Sequence, residues 1–338
     1  MKTKRARELV GQFSGKRIAV VGDLMLDRYI WGDATRISQE APVPIVAVKT
    51  VSASPGGAAN VLRNLATLDA KPLAFGVVGM DHNGEELCAL LEEQGADVAG
   101  IHRNSERMTT EKTRILAGNQ QVVRVDTERI EFVNSEEVKR LKKSLEAAAK
   151  GDGLDAIIIE DYAKGVVTGE ILDEVADVGR RYGIPVAQDP HPGNQAYTKG
   201  MTILTPNRTE AFAMAGVYRT KAVLPIEEDV AFLEVVEILQ KRWEPKHLLI
   251  TLGPNGMALF EKGGKPLHIP TRAREVFDVS GAGDTVIASF TLALVSGATP
   301  EEAAILSNHA AGVVVGKVGT APVYTEELID SFGSDAKH

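Results

Sequence analysis

Asp278-Val279-Ser280-Gly281-Ala282-Gly283-Asp284-Thr285 runs without a break into an apolar helical stretch, Val286 to Val295. The small residues let backbone amides converge where a helix begins, and the unpaired N–H groups of a first turn favour negative charge. A carboxylate is an odd ligand for such a nest. It makes sense as a base beside a phosphoryl group in transit, with the amides holding the charge that develops. The same residues also fit a plain turn, with Gly283 relieving strain and Asp284 capping the helix. Beside a helix N-terminus the carboxylate is expected to be ionised at neutral pH, and so a weak base.

Two other segments have chemistry in their types and spacing. Gly56-Gly57-Ala58-Ala59-Asn60 opens a helical pattern with little side-chain bulk, which lets a polyol approach the backbone closely; a simple turn is the alternative. Lys112, Arg114 and Arg124 stand at even separations on a strand-like segment, so they share one face. Converging cations there would pair a phosphate. The plainer reading is a solvated strand whose charges discourage edge pairing.

Elements that position such groups follow from the apolar pattern. Short β-branched or apolar runs at 17–22, 73–78, 156–159, 184–187, 202–204 and 247–251 read as buried strands. Helical patterns occupy about 58–69, 84–94, 134–149, 168–182, 207–215 and 226–242. This alternation predicts an α/β fold with a mainly parallel sheet covered on both faces. A hairpin over 257–261 and 266–270, turned at Gly263-Gly264, precedes helices at about 284–296 and 300–316. Residues of about 28–51 and 105–128 alternate polar and apolar and read as exposed strands outside the main sheet.

The chain has 338 residues, 44% apolar and 25% charged, with a net charge of −8. One domain over 1–330 with a short tail over 331–338 fits that length. The acidic balance argues against a nucleic-acid partner, and the basic cluster Lys2, Lys4, Arg5, Arg7 reads as a solvated first helix. The single Cys88 excludes an intramolecular disulfide and suits a reducing compartment. With no signal peptide and no run of 18 apolar residues, the expectation is a cytoplasmic protein with no membrane partner. No P-loop is present, since Gly11–Arg17 is one residue short and lacks the final hydroxyl residue. No dinucleotide fingerprint follows Gly22.

Taken in order, the Gly56–Asn60 segment, Pro206-Asn207-Arg208-Thr209-Glu210 and the Gly281–Asp284 segment resemble the ribokinase (PfkB-type) carbohydrate kinase family over nearly the whole chain. The resemblance implies a ribokinase-like fold in which the exposed strands form a small lid over a sugar site, often paired between subunits into a homodimer. It implies Asp284 as the base and the amides of Gly281, Ala282 and Gly283 as the anion hole. Asn207 and Glu210 match an Asn-x-x-Glu motif that organises Mg²⁺ and phosphates, often through water; a helix cap is the structural alternative. Thr251, Gly253, Gly256 and Asn308 fall where the family binds ATP. Asp27, Gly56, Gly57 and Asn60 fall where it binds sugar hydroxyls, with Asp23 a neighbouring choice to Asp27. The resemblance leaves a monovalent-cation requirement open. His309 lacks partners at metal-ligand spacing and reads as a packed side chain.

Finer likeness is to the heptose 7-phosphate kinase branch, the kinase half of ADP-heptose synthesis. It is carried by Arg36–Pro44, Thr109–Arg114, Asn119–Asp126 and Asp161-Tyr162-Ala163-Lys164-Gly165. The branch transfers phosphate from ATP to the anomeric hydroxyl of the sugar phosphate. It adds Lys112, Arg114, Gln121, Arg124, Lys164 and Asp189 as substrate residues. One departure is His191, where the branch pattern carries Lys. The family pattern ends near Pro322-Val323, so a kinase without a nucleotidyltransferase half is expected. The alternatives are another kinase of this fold, acting on a different sugar phosphate, a nucleoside or a vitamin, or a binding protein that has lost catalysis. Intact Asp284 and Glu210 speak against the last.

Overall fold

In a computed structural model describing residues 1–118, 120–194, 196–273 and 275–333, strands and helices alternate along most of the chain. The first half holds α1 (Thr3–Val10), β1 (Arg17–Gly22), β2 (Leu24–Ile37), β3 (Pro44–Gly57), α2 (Ala58–Thr67), β4 (Lys71–Gly79), α3 (His82–Glu93), β5 (Asp97–Asn104), β6 (Thr110–Ala117), β7 (Gln120–Thr127) and α4 (Ser135–Lys150). There follow β8 (Ala156–Glu160), α5 (Gly169–Tyr182), β9 (Val186–Asp189), β10 (Ile203–Leu204), α6 (Arg208–Ala215), α7 (Val230–Trp243), β11 (His247–Thr251), β12 (Met257–Glu261), β13 (Leu267–Ile269), α8 (Ala282–Val295), α9 (Pro300–Val314) and α10 (Thr325–Gly333).

Nine strands form the large sheet in the order β13-β12-β11-β10-β9-β8-β1-β4-β5. From β5 to β11 neighbouring strands are parallel, and the β11–β12–β13 edge is antiparallel. The inner strands are mainly apolar because each face meets a helical layer. Along β1, Ile18 and Val20 pack with α2, α8 and α9, while Ala19 and Val21 pack with α4 and α5. Along β8, Ala156 and Ile158 take the first face, and Ile157 and Ile159 the second. At β11 Leu249 joins the first layer, whereas Leu248 and Ile250 meet α6 and α7.

The second sheet has four strands in the order β3-β2-β6-β7 and forms the lid. Its β2–β3 and β6–β7 pairs are antiparallel and its central β2–β6 pair is parallel. The lid strands extend beyond the expected bounds: β2 starts at Leu24 and β3 runs to Gly57, directly into α2. Two elements were not anticipated. β5 is a half-exposed edge strand with no apolar run. α10 spans 325–330, where no helix was expected, and the first residues of the expected tail as far as Gly333; it buries Leu328 and Phe332, the latter stacked on His309 at 3.7 Å between ring centroids. Asn119 and residues 334–338 lie outside the described residues. Among the described residues no helix is long and apolar enough to cross a membrane.

Candidate active site

Open parallel sheets present their ligand crevice at the carboxyl ends of the strands. Here Glu160 ends β8, Asp189 ends β9 and Thr251 ends β11, and α8 starts across from them. These groups line one cavity of ≈ 200 Å³ together with Tyr162, His191, Asn207, Glu210, Gly283 and Asp284.

Asp284 sits in the first turn of α8, 3% exposed, with a donor on each carboxylate oxygen. Asn60 Nδ2 donates to Oδ2 at 2.7 Å, and the Tyr162 hydroxyl donates to Oδ1 at 2.7 Å. Burial pushes the carboxyl above its ordinary range, and these two donors oppose the shift. Desolvation therefore outweighs the helix terminus and makes Asp284 a stronger base than its position on α8 alone implies. Gly281 precedes the helix at φ 78°, in the left-handed region. A β-carbon on Gly281 would stand 2.6 Å from Asn60 Nδ2, so the residue must be glycine for two independent reasons. Of the three expected anion-hole amides, that of Ala282 is directed at the Val279 carbonyl at 3.3 Å. Among the described residues those of Gly281 and Gly283 have no acceptor and are available to an anion.

The opposite wall is crowded with acids. Burial first, and then Asp189 and Asp284, push Glu160 well above its ordinary range. Burial, Glu210 and Asp284 do the same to Asp189. Glu160 Oε2 and Asp189 Oδ1 are buried without a hydrogen-bond partner among the described residues. Such a wall is short of positive charge. No three of these side chains are close enough to hold a metal directly among the described residues. Asn207 and Glu210 form a capping box on α6, with Asn207 Oδ1 accepting from the Glu210 amide at 3.0 Å and Glu210 Oε2 accepting from the Asn207 amide at 2.8 Å. The cap and the cavity position coexist, because both residues also face the acids.

On the lid side, Asp27 accepts from Arg114 at 2.7 Å. A β-carbon on Gly56 would come within 2.8 Å of the Asp27 carboxylate, so the bare backbone there gives Asp27 its room. Arg124 faces Arg114 across the β6–β7 ladder and pairs with Asp126 on its own strand. Lys164 pairs with Glu128 at 2.8 Å. Lys112 makes no ion pair among the described residues; its ammonium lies 5.5 Å from the centroid of the Tyr162 ring. Burial lowers its pKa, and so do the nearby Lys164 and Arg124. Gln121 is exposed on β7, opposite Leu116. Asp23 is structural, since its carboxylate accepts the backbone N–H groups of Tyr162, Lys164 and Val166 and so pins the β8–α5 loop.

A second, apolar cavity of ≈ 240 Å³ opens beside the first. Thr251, Gly253 and Gly256 form one wall, with Met257, Val286 and Val315 on the others, which suits a flat heterocycle. Asn308 lines it too, but its Nδ2 donates to the Pro270 carbonyl at 2.6 Å and so anchors that wall. Thr251 and Gly283 belong to both cavities, which makes them the junction. Asn60 is attached to Asp284 rather than standing clear of it. Glu160 and Tyr162 were missed from the sequence. A charged residue closing the apolar run Ala156–Ile159 at a strand's carboxyl end was the available signal for Glu160.

Residues 16–327 match the family model described as pfkB family carbohydrate kinase. The chain is 42% identical over 333 residues to the Bifunctional protein HldE of Geobacter sulfurreducens, covering 98% of this chain and 66% of that protein. It is 44% identical over 321 residues to the Bifunctional protein HldE of Citrifermentans bemidjiense, covering 95% and 64%. The chain thus spans about two thirds of the length of these curated relatives. Among solved structures, phosphofructokinase-2 from Escherichia coli in complex with substrates and products superposes with a TM-score of 0.77 at 18% identity, covering 95% of this chain and 100% of the other. The ribokinase of Arabidopsis thaliana complexed with ribose and ATP gives 0.69 at 21%, covering 94% and 99%. At these identities the likeness concerns the fold, which is ribokinase-like.

Proposed function

The chain belongs to the pfkB family of carbohydrate kinases and is a phosphotransferase acting on a sugar hydroxyl, and we propose that its acceptor is the anomeric hydroxyl of D-glycero-D-manno-heptose 7-phosphate and its donor ATP. The observation that carries this reading is the Tyr162 side chain, which touches Asp284 with its hydroxyl and underlies Lys112 with its ring. A base and an uncommitted ammonium thus stand one tyrosine apart. A sugar with a hydroxyl at one end and a phosphate at the other suits that separation. Lys164 and Arg124 stand close to that ammonium, paired with Glu128 and Asp126. The relatives named HldE support the same branch of substrates.

In this reading Asp284 accepts the proton of the sugar hydroxyl, whose oxygen bonds to the terminal phosphorus as the bond to the ADP oxygen breaks. The amides of Gly281 and Gly283 hold the charge on the migrating group. The apolar cavity against Val286 and Val315 takes the adenine, and Thr251, Gly253 and Gly256 line the way to the junction. The orphaned oxygens of Glu160 and Asp189 fit a divalent cation. Asn207 and Glu210 with those two acids would hold Mg²⁺ through water, given that among the described residues no three acids are placed to ligate it directly. When bound, Mg²⁺ would offset the charge on the phosphates. Closing of the lid over the sugar would exclude water and limit ATP hydrolysis. Exposed Val48, Val51, Val123 and Val125 on the lid strands support a homodimer formed through the lid.

Turnover compared across heptose 7-phosphate, fructose 6-phosphate and ribose tests the assignment. The expected result is a kcat/KM for heptose 7-phosphate above that for fructose 6-phosphate and about a hundredfold above that for ribose, which lacks the phosphate, the scale that a hydrogen-bonded charge pair supplies. Preference for ribose or for fructose 6-phosphate would overturn it.

A further inference from the structure

We propose that Tyr162 is the positioning residue for the base, its hydroxyl fixing the Asp284 carboxylate so that the oxygens still open to the cavity face the acceptor hydroxyl. This rests on the reading of Asp284 as the base. An aspartate carboxylate turns about two side-chain bonds, and a single donor leaves one of its oxygens free to wander. Here the donors come from separate elements: Asn60 from the start of α2, and Tyr162 from the loop between β8 and α5. Each oxygen keeps a lone pair for substrate.

The Tyr162 hydroxyl is itself held before any substrate arrives. Three backbone amides of its loop, at Tyr162, Lys164 and Val166, donate to the Asp23 carboxylate at 2.9, 3.0 and 2.9 Å. Asp161 accepts from the Ala163 amide at 2.8 Å and from Asn194 Nδ2 at 2.8 Å, closing the same loop from its other side. The ring carries Lys112 above it. The loop therefore has no slack to follow the carboxylate, and the carboxylate must follow the loop. Burial and the Asp284 charge hold the phenol well above its ordinary pKa, so it stays a donor.

Tyr162→Phe deletes the hydroxyl and leaves the ring under Lys112. The expected result is a kcat lower by about ten- to a hundredfold, the scale of one hydrogen bond to a charged group. KM for heptose 7-phosphate should change less than about twofold, because a bond made to the base is not made to the sugar. In an Asp284→Asn background the same change should cost nothing further, because the group it positions is gone. Tyr162→Leu, which also removes the ring, should add a rise in KM for the phosphorylated sugar. Calorimetric binding of the sugar phosphate confirms that each variant retains a folded site. Wild-type kcat in Tyr162→Phe, a change confined to KM, or a full further loss in the double variant would each overturn the proposal. Normal turnover in Asp284→Asn would instead remove the base reading itself; an inactive Asp284→Asn beside a normal Tyr162→Phe sinks only this inference.

Discussion

Gly281→Ala tests together the two roles that the structure gives to one residue. At φ 78° an alanine carries the left-handed penalty, roughly 1–2 kcal/mol. Its methyl would also stand 2.6 Å from Asn60 Nδ2 and 3.0 Å from the Thr320 methyl, where the first contact cannot persist. Asn60 must retreat from Asp284, and the hydrogen bond it donates to that carboxylate is lost, about 1.5–3 kcal/mol for a bond to a charged group. Stability should therefore fall by about 2.5–5 kcal/mol, with kcat down about ten- to a hundredfold in the variant that remains folded. Urea denaturation followed by turnover of heptose 7-phosphate under native conditions measures both. The refuting result is a variant as stable and as active as the wild type, which would mean that the αL turn and the Asn60 contact are not what hold Asp284.

Lys112→Gln shortens the side chain by only one bond and removes its charge; KM for the phosphorylated sugar should rise about tenfold or more while kcat changes little, and a KM unchanged at low salt would count against phosphate recognition there. Asp161 is 6% exposed and its carboxyl is raised by burial from 3.8 to about 6. Between those values the folded chain binds more protons than the unfolded one, so ligand-free stability should fall as pH rises from about 4 to about 6, by up to about 3 kcal/mol from this group. Glu160, Asp189 and Asp284 act with the same sign. Asp161→Asn should flatten the pH dependence in denaturation series at pH 5 and 7, and an unaltered slope would remove Asp161 from that role.

What was legible in the chain follows from burial. β1 and β8 are covered on both faces and read as unbroken apolar runs, α2 announces itself by its period, and α5 and α9 by their caps. β5 was not legible, because an edge strand reading Asp97-Val98-Ala99-Gly100-Ile101-His102-Arg103-Asn104 meets the core only through part of one face. α10 is short, and its two buried anchors, Leu328 and Phe332, acquire meaning only once α1 and α9 are in place. Within the site, residues close in sequence and placed at a helix start were readable: Gly281 to Asp284, Asn207 and Glu210. The Asn60 bond to Asp284 joins residues 224 apart, and no spacing rule foretells it. The pairing of Arg114 with Asp27 likewise depends on the parallel register of β2 and β6, which sets Asp27 beside Lys112 and Tyr29 beside Arg114.

Asp284→Asn is the most direct test of the account. The substitution is close to isosteric, and the orphaned Asn60 Oδ1 lets that amide turn over and accept from the new one, so the site can stay folded. Turnover of heptose 7-phosphate with ATP should drop by about 10²–10⁴, the range for removal of a general base, while calorimetric affinity for the sugar phosphate stays within a few fold. A variant that binds the sugar and turns over within about tenfold of wild type would contradict it.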